Sequence, residues 1–142
     1  MTGFAKVSLF LLRVGIGWLF FYAGITKVLD SAWSAEKYLV GAKTFPGFYQ
    51  WLASPGVLPM TNLLNEWGLT LIGAALILGI FVRLASLAGV VVMLLYYFPA
   101  LAFPYPNPHS YIVDEHIIYA LALLVLSTSR AGKVWGLERL RR

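Results

Sequence analysis

Four long apolar segments are the sequence feature that most constrains the fold. They run from about Val7 to Val28, Leu63 to Val82, Leu84 to Phe103 and Tyr111 to Thr128. A helix that crosses the hydrocarbon core of a bilayer needs about 20 mostly apolar residues. Because lipid offers no hydrogen bonds to the backbone, such segments have to be helical. The sequence therefore predicts an all-α membrane protein, an antiparallel bundle of four transmembrane helices.

Composition agrees with lipid as the solvent and limits the chemistry. Only 12% of the 142 residues are charged and 60% are hydrophobic, whereas about 25% of residues are charged in a soluble domain. The length predicts a single domain, residues 1–142. The chain has no cysteine, which excludes disulfides, thiolate metal sites and a thiol nucleophile. We find no metal or flavin motif.

Basic residues predict the orientation in the membrane. Lys6, Arg83 and the basic tail, which comprises Arg130, Lys133, Arg139, Arg141 and Arg142, are expected on the cytoplasmic side by the positive-inside rule. Both termini would then be cytoplasmic, although Lys27, Lys37 and Lys43 partly offset this assignment. We interpret the tail as a determinant of topology and a contact for anionic lipid head groups, with nucleic acid a remote alternative.

Two connections between the apolar segments have distinct characters. The first loop, from about Asp30 to Asn62, contains the helical run Ser34–Leu39, with Ser34 as a candidate N-cap, and the aromatic stretch Phe48–Leu52. We expect short interfacial helices over the outer mouth of the bundle, acting as an anchor, a lid or both. The third connection, Phe103–Ser110, carries three prolines, so it is expected to be stiff and non-helical.

Charged groups within the first segment define one helix face. Arg13, Gly17, Phe20, Gly24 and Lys27 recur at steps of four and three, and the glycines allow a neighbouring helix to come close. The segment is longer than the apolar part of a usual signal peptide and is interrupted by Arg13, so we expect it to be retained. Arg13 either snorkels or binds backbone carbonyls, or it binds an anion or a quinone carbonyl.

Polar groups also begin the second and fourth segments. Glu66 shares a face with Thr70, and it either complements the helix dipole or belongs to a site. In the fourth segment, helical spacing places Asp114 and Glu115 on faces other than that of His116, which favours a capping role for both. His116 is either a structural histidine or a proton carrier near neutral pH.

The predicted topology brings several of these groups to the outer side. Lys27 ends the first helix there, while Glu66 and His116 begin the second and fourth. We therefore expect one outer-leaflet cavity that gathers these three side chains beneath the first loop. Glu66 and His116 are candidate catalytic residues for proton transfer. Arg13, Lys27 and Asp114 are candidate residues for binding substrate or quinone.

The sequence resembles the DoxX/DoxD family of small four-helix membrane proteins over nearly its whole length. The residues that carry the resemblance are Leu12–Gly17, Phe20–Gly24, Lys27, Asp30–Trp33, Glu66–Gly68, Gly73, Leu78–Gly79, Arg83–Ala85, Asp114–His116, Gly132 and Trp135–Arg139. The ending has Glu138 where family members more usually have aspartate. Through the DoxD-like pattern, the resemblance implies the membrane subunit of a thiosulfate:quinone oxidoreductase in a prokaryotic cell membrane. It also implies a membrane quinone as electron acceptor and a partner subunit with a soluble outer domain.

Other functional classes remain as alternatives to the enzyme. An intramembrane polar cluster also fits a non-enzymatic anchor or assembly component for a redox partner protein. A transporter is less favoured, because the sequence shows no pair of interrupted helices of the kind that marks transport sites. The glycine-rich faces permit a homo-oligomer.

Overall fold

Helices form the whole framework of the protein. The computed structural model describes residues 1–141, so Arg142 of the predicted basic tail lies outside the described residues. The α-helices of that range are α1 (Gly3–Leu29), α2 (Glu36–Val40), α3 (Pro46–Leu52), α4 (Leu58–Leu78), α5 (Val82–Ala100) and α6 (Glu115–Thr128). Two 3₁₀ turns follow, Ala131–Lys133 and Leu137–Leu140. The all-α prediction is confirmed.

Three of these helices are long and apolar enough to cross a membrane. They are α1, α4 and α5, with 27, 21 and 19 residues. The predicted fourth segment becomes helical only at Glu115, because Asp114 has an extended backbone. The resulting α6 has 14 residues, or about 21 Å at 1.5 Å per residue, compared with a hydrocarbon core of about 30 Å. The complete four-helix transmembrane bundle stays a prediction.

Helices α1 and α4 approach each other through glycine. A Cβ added to Gly17 would lie 2.9 Å from the backbone nitrogen of Ile77, and one added to Gly24 or Gly73 would overlap backbone atoms of the other helix. Rising residue numbers in α1 meet falling numbers in α4 along this contact, so the two helices run in opposite directions. Without a side chain in between, the backbones pack directly and gain van der Waals contact.

Replacing Gly73 by alanine should therefore destabilise the protein strongly, because its Cβ would overlap the backbone of Phe21. We expect a loss of at least about 2 kcal/mol, towards the upper end of overpacking costs. Thermal unfolding in detergent or nanodiscs measures it. Gly68 on the same helix has open space around its Cβ position, so Gly68→Ala is the matched control and should be neutral or slightly stabilising. Equal effects of the two substitutions would contradict this contact.

The interior is closed by α5 and α6. Leu76 of α4 and Leu123 and Leu126 of α6 are almost completely buried, together with Phe20 of α1. The opposite faces of the helices expose large apolar side chains such as Leu71. An apolar exterior of this extent is stable against lipid and not against water, in agreement with the membrane assignment.

The first loop folds into two short helices, as the sequence predicts. The N-cap residue of α2 is Ala35 and not the predicted Ser34. The hydroxyl of Ser34 still accepts a hydrogen bond from Glu36 N, the first residue of the helix, at 3.2 Å. The buried side chains of the loop, Leu39 and Tyr49 among them, form a second apolar cluster against Phe98 at the end of α5. The loop is thus attached to the bundle.

A proline in α5 explains how this attachment is made. Pro99 lies inside α5 and has no N–H for the carbonyl of Leu95, four residues earlier. The buried Tyr49 hydroxyl donates to that carbonyl instead, at 2.9 Å. Burial, with a smaller contribution from Tyr38, raises the pKa of Tyr49 to about 12. The hydroxyl therefore stays protonated as a donor at physiological pH.

This exchange of donors predicts coupling between Tyr49 and Pro99. Tyr49→Phe should cost about 1–3 kcal/mol, because it leaves a buried carbonyl without its donor. In a Pro99→Ala background the alanine N–H can bond to Leu95, so the same substitution should cost less. A double-mutant cycle by thermal unfolding measures the difference. Strict additivity of the two substitutions would show that the Tyr49 hydroxyl does not replace the missing N–H.

Candidate functional site

A polar cavity of about 450 Å³ lies beneath the first loop. The end of α1, the start of α6, one residue of α4 and the last part of α5 surround it. Its lining is made of Lys27, Trp33, Ser34, Ala35, Tyr38, Asn65, Tyr96, Ala100, Pro106, Asn107, Asp114, Glu115 and His116. The cavity thus brings together Lys27, Asp114 and His116 of the predicted site.

Lys27 supplies the cationic group of the cavity. Its Nζ donates to the carbonyl of Ala23 at 2.9 Å and lies 5.4 Å from the centre of the Trp33 ring. No carboxylate of the described residues pairs with it. An ammonium has three donors, so Lys27 keeps hydrogen-bonding capacity for an anion or a carbonyl oxygen.

Asp114 and His116 form a hydrogen-bonded pair on one wall. Oδ1 of Asp114 accepts from His116 N at 3.0 Å and from Ile117 N at 3.3 Å, and so caps α6. Oδ2 lies 2.8 Å from His116 Nδ1. The expectation that Asp114 and Glu115 face away from His116 is wrong, because Asp114 precedes the helix in extended backbone and both carboxylates line the same cavity.

The pairing fixes the ring of the histidine. Because an ionised carboxylate only accepts, the proton of neutral His116 is held on Nδ1. No hydrogen bond from the described residues involves Nε2, and the residue lines the cavity. A histidine whose other nitrogen is held in this way can take up and release a proton at Nε2.

Two tyrosines and an asparagine form the wall that the sequence reasoning missed. The Tyr96 hydroxyl donates to Asn65 Oδ1, and the Tyr38 hydroxyl donates to the Tyr96 carbonyl. The Tyr96 ring meets the ring of His116 edge to face, with centroids 6.3 Å apart. Burial, and secondarily the charge of Asp114, raises the pKa of Tyr38, which keeps it a neutral donor. The sequence signal that could have indicated this wall is the hydroxyl group of Tyr96 within the otherwise apolar segment that forms α5.

A smaller apolar cavity adjoins the polar one. It has a volume of about 150 Å³ and shares Ala35, Tyr38, Asn65 and Tyr96 with the polar cavity. The rest of its lining is mainly aliphatic and includes Leu64 and Leu95, both exposed on the outside of the bundle. We call it the side cavity. It reaches from the apolar exterior, between α4 and α5, to the polar groups.

Glu66 lies next to this site and outside its lining. The side chain is half-buried on α4, whereas Asn65, the preceding residue, lines both cavities. Successive residues of a helix point about 100° apart, so the face of α4 that borders the cavities is that of Asn65. The catalytic role assigned to Glu66 stays a prediction.

Arg13 lies far from the polar cavity, at the other end of α1. Its distance from Lys27 is about 21 Å along the helix. The side chain is completely buried, in space left by Gly79 and Gly136. Nη2 donates to the carbonyl of Trp135 at 3.5 Å, while Nε and Nη1 have no hydrogen-bond partner among the described residues. The structure therefore places Arg13 between the α4–α5 turn and the C-terminal segment.

Glu138 completes this end of the molecule. Its carboxylate accepts from Val82 N at 2.7 Å, and its backbone N–H donates to the carbonyl of Gly79 at 2.9 Å. The C-terminal segment is thereby tied to the turn between α4 and α5. Within residues 1–141, no group of three or more His, Asp or Glu side chains is arranged to hold a metal ion.

These features define a helical protein of the membrane with several spans and a polar cavity at one end. The family model for DoxX matches residues 8–102, which is more than half of the chain. The protein belongs to the DoxX family. The matched range contains Arg13, Lys27 and Glu66 and ends before Asp114 and His116. Comparisons with curated proteins and with solved structures give no match.

Asp114 has two roles, capping α6 and orienting the ring of His116, and each leads to a prediction. Asp114→Asn keeps a good capping residue and should change stability little, whereas Asp114→Ala should cost about 1 kcal/mol. In a His109→Gln background, ¹⁵N NMR reports one histidine only. Neutral His116 should carry its proton on Nδ1, and Asp114→Ala should remove that preference. A proton found on Nε2 in the unsubstituted site would contradict the pairing.

Proposed function

We propose that this protein is the membrane subunit of a quinone-linked oxidoreductase that oxidises a small sulfur oxyanion, thiosulfate in the simplest case. Membership of the DoxX family supports a protein of this kind. The observation that carries the proposal is the junction of the polar cavity with the side cavity at Tyr38, Asn65 and Tyr96. A water-soluble anion and an apolar quinone would meet there.

The two cavities suit the two substrates. A quinone is an apolar molecule of the bilayer with two polar oxygens, and the aliphatic lining of the side cavity borders the exposed face of α4 and α5. Its ring would lie near Tyr96 and Asn65. An oxyanion enters from water and binds at Lys27, whose ammonium forms no ion pair with Asp114 or Glu115 of the same cavity.

The balanced reaction assigns a task to each group. Two thiosulfate ions each lose one electron from the terminal sulfur, and a sulfur–sulfur bond joins them as tetrathionate. The quinone takes up the two electrons and two protons and becomes a quinol. Lys27 holds the anion, and charge-assisted hydrogen bonds are the strong ones. His116, oriented by Asp114, passes protons from the water of the cavity to a quinone oxygen.

The proposed setting follows from charge. Lys6, Arg83, Arg130, Lys133 and Arg139 share the end opposite the polar cavity, which we call the basic end. The positive-inside rule places that end in the cytoplasm, with both termini. The polar cavity then opens in the outer leaflet of a prokaryotic cell membrane, where a partner subunit with a soluble domain would cover it.

The assay is thiosulfate-dependent reduction of a short-chain quinone by the purified protein in lipid, with and without a partner subunit. His116→Ala should lower the rate by at least about 100-fold, the lower range for loss of a positioned proton donor. Lys27→Gln should lower it by weakening the binding of the anion. His109→Ala is the matched control, because His109 is exposed outside the cavity, and should keep full activity.

The assay also separates the proposal from a non-enzymatic role. Folded protein that is inactive with every partner tested would refute the oxidoreductase and favour a membrane anchor or assembly component for a redox protein. Equal losses in the His116 and His109 variants would remove the polar cavity from the reaction. Glu66→Gln tests whether that carboxylate, one residue from the cavity wall, takes part in proton transfer.

A further inference from the structure

The basic end contains a third cavity, larger than the polar cavity and the side cavity. Its volume is about 810 Å³, and it lies between the start of α5 and the end of α6. We call it the basic cavity. Its lining is made of Val82, Arg83, Leu87, Leu124, Leu126, Ser127, Thr128, Arg130, Ala131, Gly132, Lys133 and Glu138. Nothing in the proposed reaction uses these residues.

Three cations surround this cavity, against one carboxylate, that of Glu138. Arg83, Arg130 and Lys133 are exposed, and none forms an ion pair with the described residues. The acidic residue of the lining, Glu138, already accepts a hydrogen bond from Val82 N at 2.7 Å. The lining therefore carries an excess of positive charge, and its guanidinium groups match the geometry of phosphate oxygens.

One of these cations occupies a strained position. Arg130 follows α6 with φ of 52°, the left-handed conformation that glycine adopts without steric cost and other residues avoid. Arg130 lies between the C-cap of α6, Ser129, and the 3₁₀ turn Ala131–Lys133, and it lines the basic cavity.

The cavity is continuous with the apolar exterior. Leu87 of α5 and Leu124 of α6 line it and are themselves exposed on the outside of the bundle. A ligand with a phosphate group among the three cations would thus have aliphatic side chains beneath it. That combination favours a phospholipid, whose acyl chains cover the leucines, over a free phosphate ion, which would leave them exposed.

We propose that the basic cavity binds one anionic phospholipid of the adjacent leaflet, through its phosphate group. Arg83 and Arg130 contact the phosphate oxygens from either side, and Lys133 adds a third charge. The acyl chains lie along Leu87 and Leu124. The bound lipid fills the space between the start of α5 and the end of α6. This site is independent of the proposed redox reaction.

Native mass spectrometry of the full chain with phosphatidylglycerol, and with phosphatidylcholine for comparison, tests the proposal. One phosphatidylglycerol should be retained preferentially. The variant Arg83→Gln/Arg130→Gln should lower its affinity by at least about tenfold, since each basic residue near an anionic lipid contributes on the order of a tenfold change or somewhat less. Lys133→Gln should weaken it less.

The control variant is Lys6→Gln/Arg139→Gln. It removes the same charge from the basic end but from residues outside the cavity lining, so lipid binding should be retained. Thermal unfolding without lipid verifies that each variant is folded. Equal losses in both double variants, or equal retention of the two lipids, would overturn the proposal. Displacement of the lipid by millimolar inorganic phosphate would also overturn it and assign the cavity to a soluble phosphate.

Discussion

Direct backbone contact between α1 and α4 is the constraint on which the rest of the structure depends. Gly17, Gly24 and Gly73 have no side chain to separate the helices, so the register of one on the other is fixed closely. This register sets Lys27 of α1 near Asn65 of α4, where both line the polar cavity. Because α1 and α4 each continue past this contact in both directions, the same contact also fixes how their ends lie relative to each other.

The two ends are built on different principles. At one end, the loop helices are attached to carbonyls of α5, and the polar cavity beneath them keeps ionisable groups accessible. At the other end, Arg13 is enclosed by the C-terminal segment, where its charge is shielded from lipid. The guanidinium donates to one carbonyl of this segment, that of Trp135, at 3.5 Å, and its predicted role in binding stays a prediction. The accessible cations of that end, such as Arg83, instead border the basic cavity.

Sequence patterns predicted the elements better than the site. The apolar segments, the loop helices and the non-helical connection Phe103–Ser110 all follow from local rules. Asp114 was misplaced because helical spacing was applied to a residue that precedes its helix. Glu66 and Asn65 differ by one position, and no pattern within α4 decides which borders a cavity formed with α5. The burial of Arg13 depends on Gly136, more than a hundred residues later, and tertiary contacts of that kind leave no local pattern.

Photo-crosslinking with an azidoquinone in lipid, followed by peptide mapping, is the most direct test of the central claim that quinone binds where the two cavities meet. Labelling is predicted on the segments around Tyr38, Tyr96 and His116, and an unmodified quinone should suppress it by competition. Labelling confined to the exposed lipid-facing sides of the helices, at Trp18 or Leu71 for example, and unaffected by competitor, would contradict the account.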